Sequence, residues 1–203
     1  MSRYKAVIFD LGKVLVHFDF KHGYRRLEGL CPHPAAEIPK RIRATGLVER
    51  FETGLVEPRD FVAQLSRALD LSIDHDHFCE IWSGIFTETL VPEEMLAGLA
   101  ARHRLLLLSN TNALHFELIR RNYPLIRHFH DLILSYEVKA MKPSPEIYRI
   151  AIDRAGCLPG ECFYTDDIAE YVEGGKRAGL DAVQFQNAEQ LVGELARRGI
   201  AWK

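Results

Sequence analysis

Five short apolar runs constrain the fold of this chain more than any other feature. They occupy residues 6–9, 105–109, 132–135, 162–165 and 182–185. Each run is apolar almost throughout rather than alternating, a pattern typical of strands that helices cover on both faces of a parallel sheet. Helical patterns lie between the runs, over residues 92–102, 113–121, 145–155 and 168–178, with Gly156 and Gly179 directly after the last two. The alternation of strand and helix predicts a doubly wound parallel α/β fold.

One long interval interrupts this alternation. Residues 20–89 show helical patterns and no convincing strand, with amphipathic stretches over 58–69 and 74–86. An insertion directly after the first strand of a parallel sheet stands over the carboxyl ends of the strands, where open α/β sheets bind ligands. We therefore predict a helical cap over residues 20–89 and a core made of residues 1–19 and 90–203.

Charge and cysteine usage narrow the classes of partner. The formal net charge of −2 offers no electrostatic reason to bind nucleic acid or an anionic membrane. No apolar run approaches the ~20 residues of a membrane span. The four cysteines, Cys31, Cys79, Cys157 and Cys162, form no CxxC pair, and the first residues do not resemble a signal peptide. We expect a cytoplasmic protein that acts on a small molecule.

Carboxylates follow two of the predicted strands. Asp10 comes directly after the first run, with Gly12 two residues later, and Asp166 and Asp167 follow the fourth run. Adjacent carboxylates repel each other unless a cation is present, and Mg²⁺ prefers oxygen ligands. Each feature also has a plain structural explanation, because an aspartate often ends a strand or caps a helix.

Neutral and basic polar groups follow the other strands. Ser109 and Asn110 end the second run, and Lys142 lies in a proline-rich loop after the third. Taken alone, these are ordinary helix-capping and solvated loop residues. Parallel strands, however, bring all of these positions to one edge of the sheet. A nucleophile, hydrogen-bond donors, a cation and metal ligands at one edge suit phosphoryl transfer, which needs positioning and charge neutralisation.

This set, in this order, resembles the haloacid-dehalogenase superfamily. Asp10 matches its first motif, Ser109 its second, Lys142 in KPSPEIY its third, and the pair Asp166 and Asp167 its acidic fourth. The helical insertion resembles the small cap of one subgroup. The phrases FDLGKVLVHFD and LSNTN most resemble the branch with glucose-1-phosphate phosphatase and the amino-terminal phosphatase domain of epoxide hydrolases.

The resemblance implies a Rossmann-like core and a Mg²⁺-dependent phosphatase that hydrolyses a small phosphorylated metabolite, such as a sugar phosphate. It also implies that the protein is a monomer or a homodimer. Asp10 and Lys142 are the implied catalytic residues, with Asp10 forming an aspartyl phosphate. The implied phosphate-binding residues are Ser109, Asn110 and Lys142. The implied metal ligands are Asp10, the backbone carbonyl of Gly12, Asp166 and Asp167.

Gly12 departs from the family pattern. Most phosphatases of this superfamily have at this position a second aspartate that protonates the leaving group. Such general acid catalysis typically raises the reaction rate by about 10²–10⁴-fold. Either the substrate has a good leaving group, or another residue substitutes, such as His17, Asp19 or a residue of the cap. The turn with Phe51, Glu52 and Gly54 resembles one that often faces the substrate.

The alternatives to a phosphatase are a metal-independent 2-haloacid dehalogenase, which also lacks the second aspartate, and a non-catalytic binding module. We rank the phosphatase first, because the pair Asp166 and Asp167 suits a metal ion and dehalogenases work without one.

Overall fold

The computed structural model describes residues 3–203, so the first two residues of the predicted core range 1–19 lie outside it. The described residues form seven strands: β1 (Ala6–Phe9), β2 (Val16–Phe18), β3 (Phe86–Thr89), β4 (Arg104–Ser109), β5 (Asp131–Leu134), β6 (Cys162–Asp166) and β7 (Asp181–Gln184). They form eleven α-helices: α1 (Phe20–Glu28), α2 (Ile38–Thr45), α3 (Leu47–Glu52), α4 (Pro58–Ala68), α5 (His75–Ser83), α6 (Glu93–Ala100), α7 (Ala113–Asn122), α8 (Ser135–Val138), α9 (Pro145–Ala155), α10 (Ala169–Arg177) and α11 (Ala188–Arg197).

Five strands form one parallel sheet in the order β5-β4-β1-β6-β7. The side chains of β1 explain why its sequence does not alternate. Val7 and Phe9 enter the core on one face of the sheet, and Ala6 and Ile8 enter the core on the other. All four are fully buried, as expected for a central strand covered by helices on both sides. The predicted α/β fold class is confirmed.

The helices that cover the sheet begin and end close to the predicted positions. α9 has Pro145 at its first position and ends at Gly156, whose φ of 68° is the left-handed conformation that favours glycine. Asn112 caps α7, accepting a hydrogen bond of 3.0 Å from the His115 N–H. Because α7 follows β4 directly, this cap fixes the loop that leaves the carboxyl end of the sheet.

Helices α1–α5, which we call the helical layer, have a hydrophobic core of their own. Phe61 lies at its centre and stacks on Phe51 with ring centroids 4.2 Å apart. Its ring also packs edge-on against Trp82 at 5.0 Å. Among residues 3–203, none of the helices combines the length and apolar character that a bilayer crossing requires.

The expectation of no strand within residues 20–89 was wrong at its carboxyl end. β3 pairs with β2 in an antiparallel ribbon, with Phe86 opposite Phe18. Only four residues long and mostly exposed, β3 has no periodicity that separates it from a loop. Its partner lies far away in the sequence, so the pairing depends on the tertiary fold. Through this ribbon the chain leaves the sheet for the helical layer and returns from it.

Candidate active site

A buried cluster of charges lies at the carboxyl ends of β1 and β6. The Lys142 ammonium donates hydrogen bonds of 2.6 Å to Asp10 Oδ1, 2.6 Å to Asp166 Oδ2 and 3.0 Å to the Leu108 carbonyl. Asp10 is 7%, Lys142 3% and Asp166 0% exposed. Asp10 and Asp166 meet because β1 and β6 are neighbours in the parallel sheet, and Lys142 reaches them from the loop between α8 and α9.

Burial controls the protonation of this cluster. It raises the pKa of Asp10 to about 7, although the Lys142 charge lowers it. Burial also opposes the charge of Lys142, but the two carboxylates outweigh that effect and raise the pKa of its ammonium above the usual range. Burial and the Asp166 charge raise the pKa of Asp167. With all three carboxylates ionised, the cluster would carry two negative charges that Lys142 does not balance.

The acidic residues of the cluster fit a divalent metal ion. One carboxylate oxygen from each of Asp10, Asp166 and Asp167 lies within 4.8 Å of the other two. These are the hard oxygen ligands that Mg²⁺ prefers, and a divalent cation would balance the two negative charges that remain beyond Lys142. Hydrogen bonds hold Asp166 in place, since its Oδ1 accepts 2.9 Å from the Ile168 N–H and its Oδ2 accepts from the Tyr164 hydroxyl.

Asn110 connects the loop after β4 to the loop of Lys142. Its Nδ2 donates 2.9 Å to the Lys142 carbonyl, and its Oδ1 accepts 2.9 Å from the Lys142 N–H. Next to it, Ser135 Oγ donates to the Thr111 carbonyl and accepts from the Thr111 N–H, both at 2.9 Å. The first pair fixes the backbone of Lys142 against Asn110, and the second fixes Thr111; Ser109, directly before them in the chain, is 2% exposed.

A small cavity of about 60 Å³, which we call the interface pocket, lies between this edge of the sheet and the helical layer. Gly12, Ser109 and Asn110 line it from the sheet, and Phe18, Glu52 and Phe86 line it from the ribbon and the helices. Glu52 is partly buried, and its burial, together with the Glu49 charge, raises its pKa to about 7.

A side chain at residue 12 would require the Phe18 ring to move. A Cβ added to Gly12 would lie 2.6 Å from Cε1 of Phe18, closer than carbon atoms can approach. The Phe18 ring therefore fills the space that an aspartate at this position would need. Sequence reasoning did not anticipate this contact, because it depends on how the ribbon folds back over the loop after β1.

Two residues considered as substitutes for the missing acid have other partners. His17 is a surface residue whose Nδ1 lies 3.0 Å from Thr87 Oγ1, and Asp19 caps α1 by accepting 2.9 Å from the Lys21 N–H. His115 does line the interface pocket, but burial lowers its pKa to about 4, so it is neutral at physiological pH. Its Nε2 lies 3.0 Å from the Trp82 carbonyl, which gives it a structural role.

Two tyrosines were missed by sequence reasoning. Tyr164 on β6 donates to Asp166, and Tyr171 on α10 lies with its ring 5.1 Å from the Lys142 ammonium. A tyrosine inside an otherwise apolar strand, as at position 164, is the one signal that could have suggested a buried polar partner. Tyr164 is buried beside the cluster, and Tyr171 is half-buried next to Lys142.

Comparison with known proteins places the chain in a family. The profile of the haloacid dehalogenase-like hydrolases matches residues 4–179. D-ribitol-5-phosphate phosphatase of Bacteroides thetaiotaomicron is 27% identical over 94% of this chain and 96% of that protein. A phosphatase of Mycobacterium tuberculosis is 30% identical over 91% of this chain and 88% of that protein. A crystal structure of a Bacteroides thetaiotaomicron enzyme of the same superfamily, in complex with magnesium and inorganic phosphate, has a TM-score of 0.81 at 24% identity and covers 91% of this chain and 95% of its own. The resemblance seen in the motifs is confirmed, and the chain belongs to the haloacid dehalogenase-like hydrolases.

Proposed function

We propose that this protein is a Mg²⁺-dependent phosphatase that hydrolyses a small phosphorylated metabolite through an aspartyl phosphate on Asp10. The observation that carries the proposal is the buried cluster of Asp10, Lys142 and Asp166, with Asp167 close enough to share a cation. The phosphatases among its relatives support the same reaction, and D-ribitol-5-phosphate phosphatase suggests a phosphorylated sugar or alditol as substrate. We further propose that the protein works in the cytoplasm, as a monomer or a homodimer.

In this mechanism Asp10 is the nucleophile. Lys142 holds its Oδ1, which orients the carboxylate and leaves the other oxygen to attack phosphorus. Ser109 and Asn110 bind the transferring phosphoryl group, and Asn110 also positions Lys142 through its backbone. Asp10, the Gly12 carbonyl, Asp166 and Asp167 would hold Mg²⁺, which would neutralise phosphate charge and favour ionised Asp10. Water then hydrolyses the aspartyl phosphate.

The helical layer acts as a cap in this proposal. Its side chains complete the interface pocket over Gly12 and Ser109, so that it excludes water from the phosphoryl group. Residues 20–89 are the proposed extent of the cap, and residues 1–19 and 90–203 that of the core. We propose that Glu52 and Phe18, which line the pocket, contribute to substrate specificity from the cap and the ribbon.

A phosphatase screen with and without Mg²⁺ tests the proposal. The substrates are 4-nitrophenyl phosphate, D-ribitol 5-phosphate and a set of sugar phosphates. We expect turnover that requires Mg²⁺, stops with chelator and is lost in Asp10→Asn. Asp153→Asn, an exposed aspartate on α9, is the matched control and should retain full activity.

Other outcomes distinguish the alternatives. Phosphate release that survives chelation or the Asp10→Asn substitution would refute the mechanism. Halide release from a 2-haloacid without metal would identify a dehalogenase instead. No reaction in either screen would favour a binding module.

A further inference from the structure

The sheet edge beside Asp10 offers no side chain at the position where a proton donor is needed. Gly12 has none, and the Phe18 ring lies 2.6 Å from where its Cβ would be. An alkoxide is a poor leaving group, so transfer of a phosphoryl group from an alkyl phosphate needs a proton at the bridging oxygen. The donor must therefore approach from the other side of the interface pocket.

Glu52 lies on that other side. Within residues 3–203 it is the one acidic residue that lines the interface pocket, and it shares the pocket with Gly12, Ser109 and Asn110. It is the last residue of α3, where the helical layer meets the sheet. Its carboxyl group therefore lies across the pocket from the groups proposed to bind the phosphate.

The turn that carries Glu52 is held from both sides. Before it, Phe51 is 2% exposed and stacks on Phe61 inside the helical layer. After it, Gly54 has a φ of 66° and approaches α8, the helix after β5, so closely that an added Cβ would lie 2.0 Å from the Tyr136 carbonyl oxygen. A side chain on a turn anchored in this way keeps a defined position relative to the sheet.

The surroundings of Glu52 favour its protonated form far more than water does. Burial, with a contribution from the Glu49 charge on its own helix, raises its pKa to about 7. From the sheet side, Tyr171 of α10 interacts electrostatically with it, and His115 of α7 lines the same pocket as a neutral imidazole. A carboxyl group with a pKa near the working pH is suited to donate a proton and to take one back.

We infer that Glu52 is the proton donor to the leaving oxygen in the reaction on Asp10. This inference rests on the proposed phosphatase function. An oxygen of Asp10 forms a bond to phosphorus, the bond from phosphorus to the substrate oxygen breaks, and the proton of Glu52 moves to that oxygen, which leaves as an alcohol. Water then attacks the aspartyl phosphate and breaks its bond to Asp10. One proton of the water returns to Glu52 and the other leaves on the phosphate.

A leaving-group series tests the inference. We compare Glu52→Gln with wild type on 4-nitrophenyl, phenyl and ethyl phosphate, measuring kcat/KM, which reports the steps up to departure of the leaving group. Glu52→Gln should leave kcat/KM for 4-nitrophenyl phosphate nearly unchanged and lower it for ethyl phosphate by about 10²–10⁴-fold. Glu57→Gln, an exposed glutamate directly before α4 in the same helical layer, is the matched control and should show no such trend.

The pH profile gives a second readout. In wild type, kcat/KM for ethyl phosphate should fall above about pH 7, as Glu52 loses its proton. This basic limb should be missing in Glu52→Gln, and in wild type with 4-nitrophenyl phosphate. A merely structural role for Glu52 would not produce a limb that depends on the leaving group.

Failures of the two proposals are distinguishable. A loss of kcat/KM in Glu52→Gln that is equal for all three substrates, or no loss at all, would overturn the role of Glu52. The proposed phosphatase function would still hold in that case, provided that the wild type hydrolyses 4-nitrophenyl phosphate. If wild type with Mg²⁺ does not hydrolyse 4-nitrophenyl phosphate, both proposals are refuted.

Discussion

Replacing Lys142 by methionine tests the electrostatics of the buried cluster most directly. Methionine is an unbranched side chain one atom shorter than lysine, so it keeps most of the packing and removes the charge. The substitution deletes three hydrogen bonds and leaves Asp10 and Asp166, 7% and 0% exposed, without the cation that both contact at 2.6 Å. Removing one partner of a buried ion pair costs about 3–5 kcal/mol, because an uncompensated charge remains. We expect the free energy of unfolding to fall by that amount at pH 8 with chelator present.

The decrease in the free energy of unfolding of Lys142→Met should depend on pH, with a sign that follows from the pKa of Asp10. Burial already raises the folded-state pKa of Asp10 above its unfolded value, so its ionisation destabilises the folded protein as pH rises through the folded pKa. Without Lys142, which lowers that pKa, the folded pKa rises further. At pH 5 Asp10 is then protonated in the variant, and the loss should be smaller than at pH 8. Saturating Mg²⁺ should reduce the loss at pH 8, since the cation supplies the missing positive charge.

Urea denaturation at pH 5 and pH 8, with Mg²⁺ or chelator, measures these differences. Lys176→Met is the control, because Lys176 pairs with Glu173 on the surface, where an ion pair contributes about 0–1 kcal/mol. Combining Lys142→Met with Asp166→Asn should recover part of the stability at pH 8. A loss that is the same in all four conditions would mean that lysine packing, rather than charge, explains the effect, and would refute the argument.

Three further predictions concern glycines and the metal. Gly12→Asp should lower the free energy of unfolding, measured by urea denaturation, by about 1–3 kcal/mol through its clash with Phe18. Adding Phe18→Ala to that variant should recover stability. Gly12→Asp should not raise the turnover of ethyl phosphate. Gly54→Ala and Gly98→Ala both force a Cβ against a backbone carbonyl, so both should lower the melting temperature, but only Gly54→Ala should lower kcat/KM for ethyl phosphate. Mg²⁺ at a hundred times its dissociation constant should raise the melting temperature of wild type by about 5–11 °C, and equal shifts in wild type and Asp166→Asn would contradict the proposed metal site.

The parallel sheet was predictable because its strands are buried on both faces. Val7 and Ile8 point in opposite directions and are both excluded from solvent, so β1 is apolar at every position. The same rule that parallel strands share one edge anticipated that Asp10, Lys142 and Asp166 would lie together. Local sequence was therefore enough for the main elements and for the position of the charged cluster.

The details that govern the chemistry depend on contacts across the chain. Asn110 was expected to contact phosphate, but no pattern predicts that its side chain also bonds to both backbone groups of Lys142. The contact of Phe18 with Gly12 and the position of Glu52 in the interface pocket both require the ribbon and the helical layer to be folded over the sheet. Burial sets the pKa of Glu52, and burial is a property of the tertiary structure.

The ribbon of β2 and β3 limits how the helical layer can move. Because the two crossings between sheet and helices are hydrogen-bonded to each other, they form one connection rather than two independent tethers. Rotation about a hinge displaces nearby groups least and distant groups most. Phe18 and Phe86 lie on the ribbon itself, so a rotation about it would displace the wall of the pocket over Gly12 least. The turn that carries Glu52 has a separate anchor, because Gly54 lies against the Tyr136 carbonyl of α8. The ribbon and this turn therefore hold the helical layer over the pocket at two points.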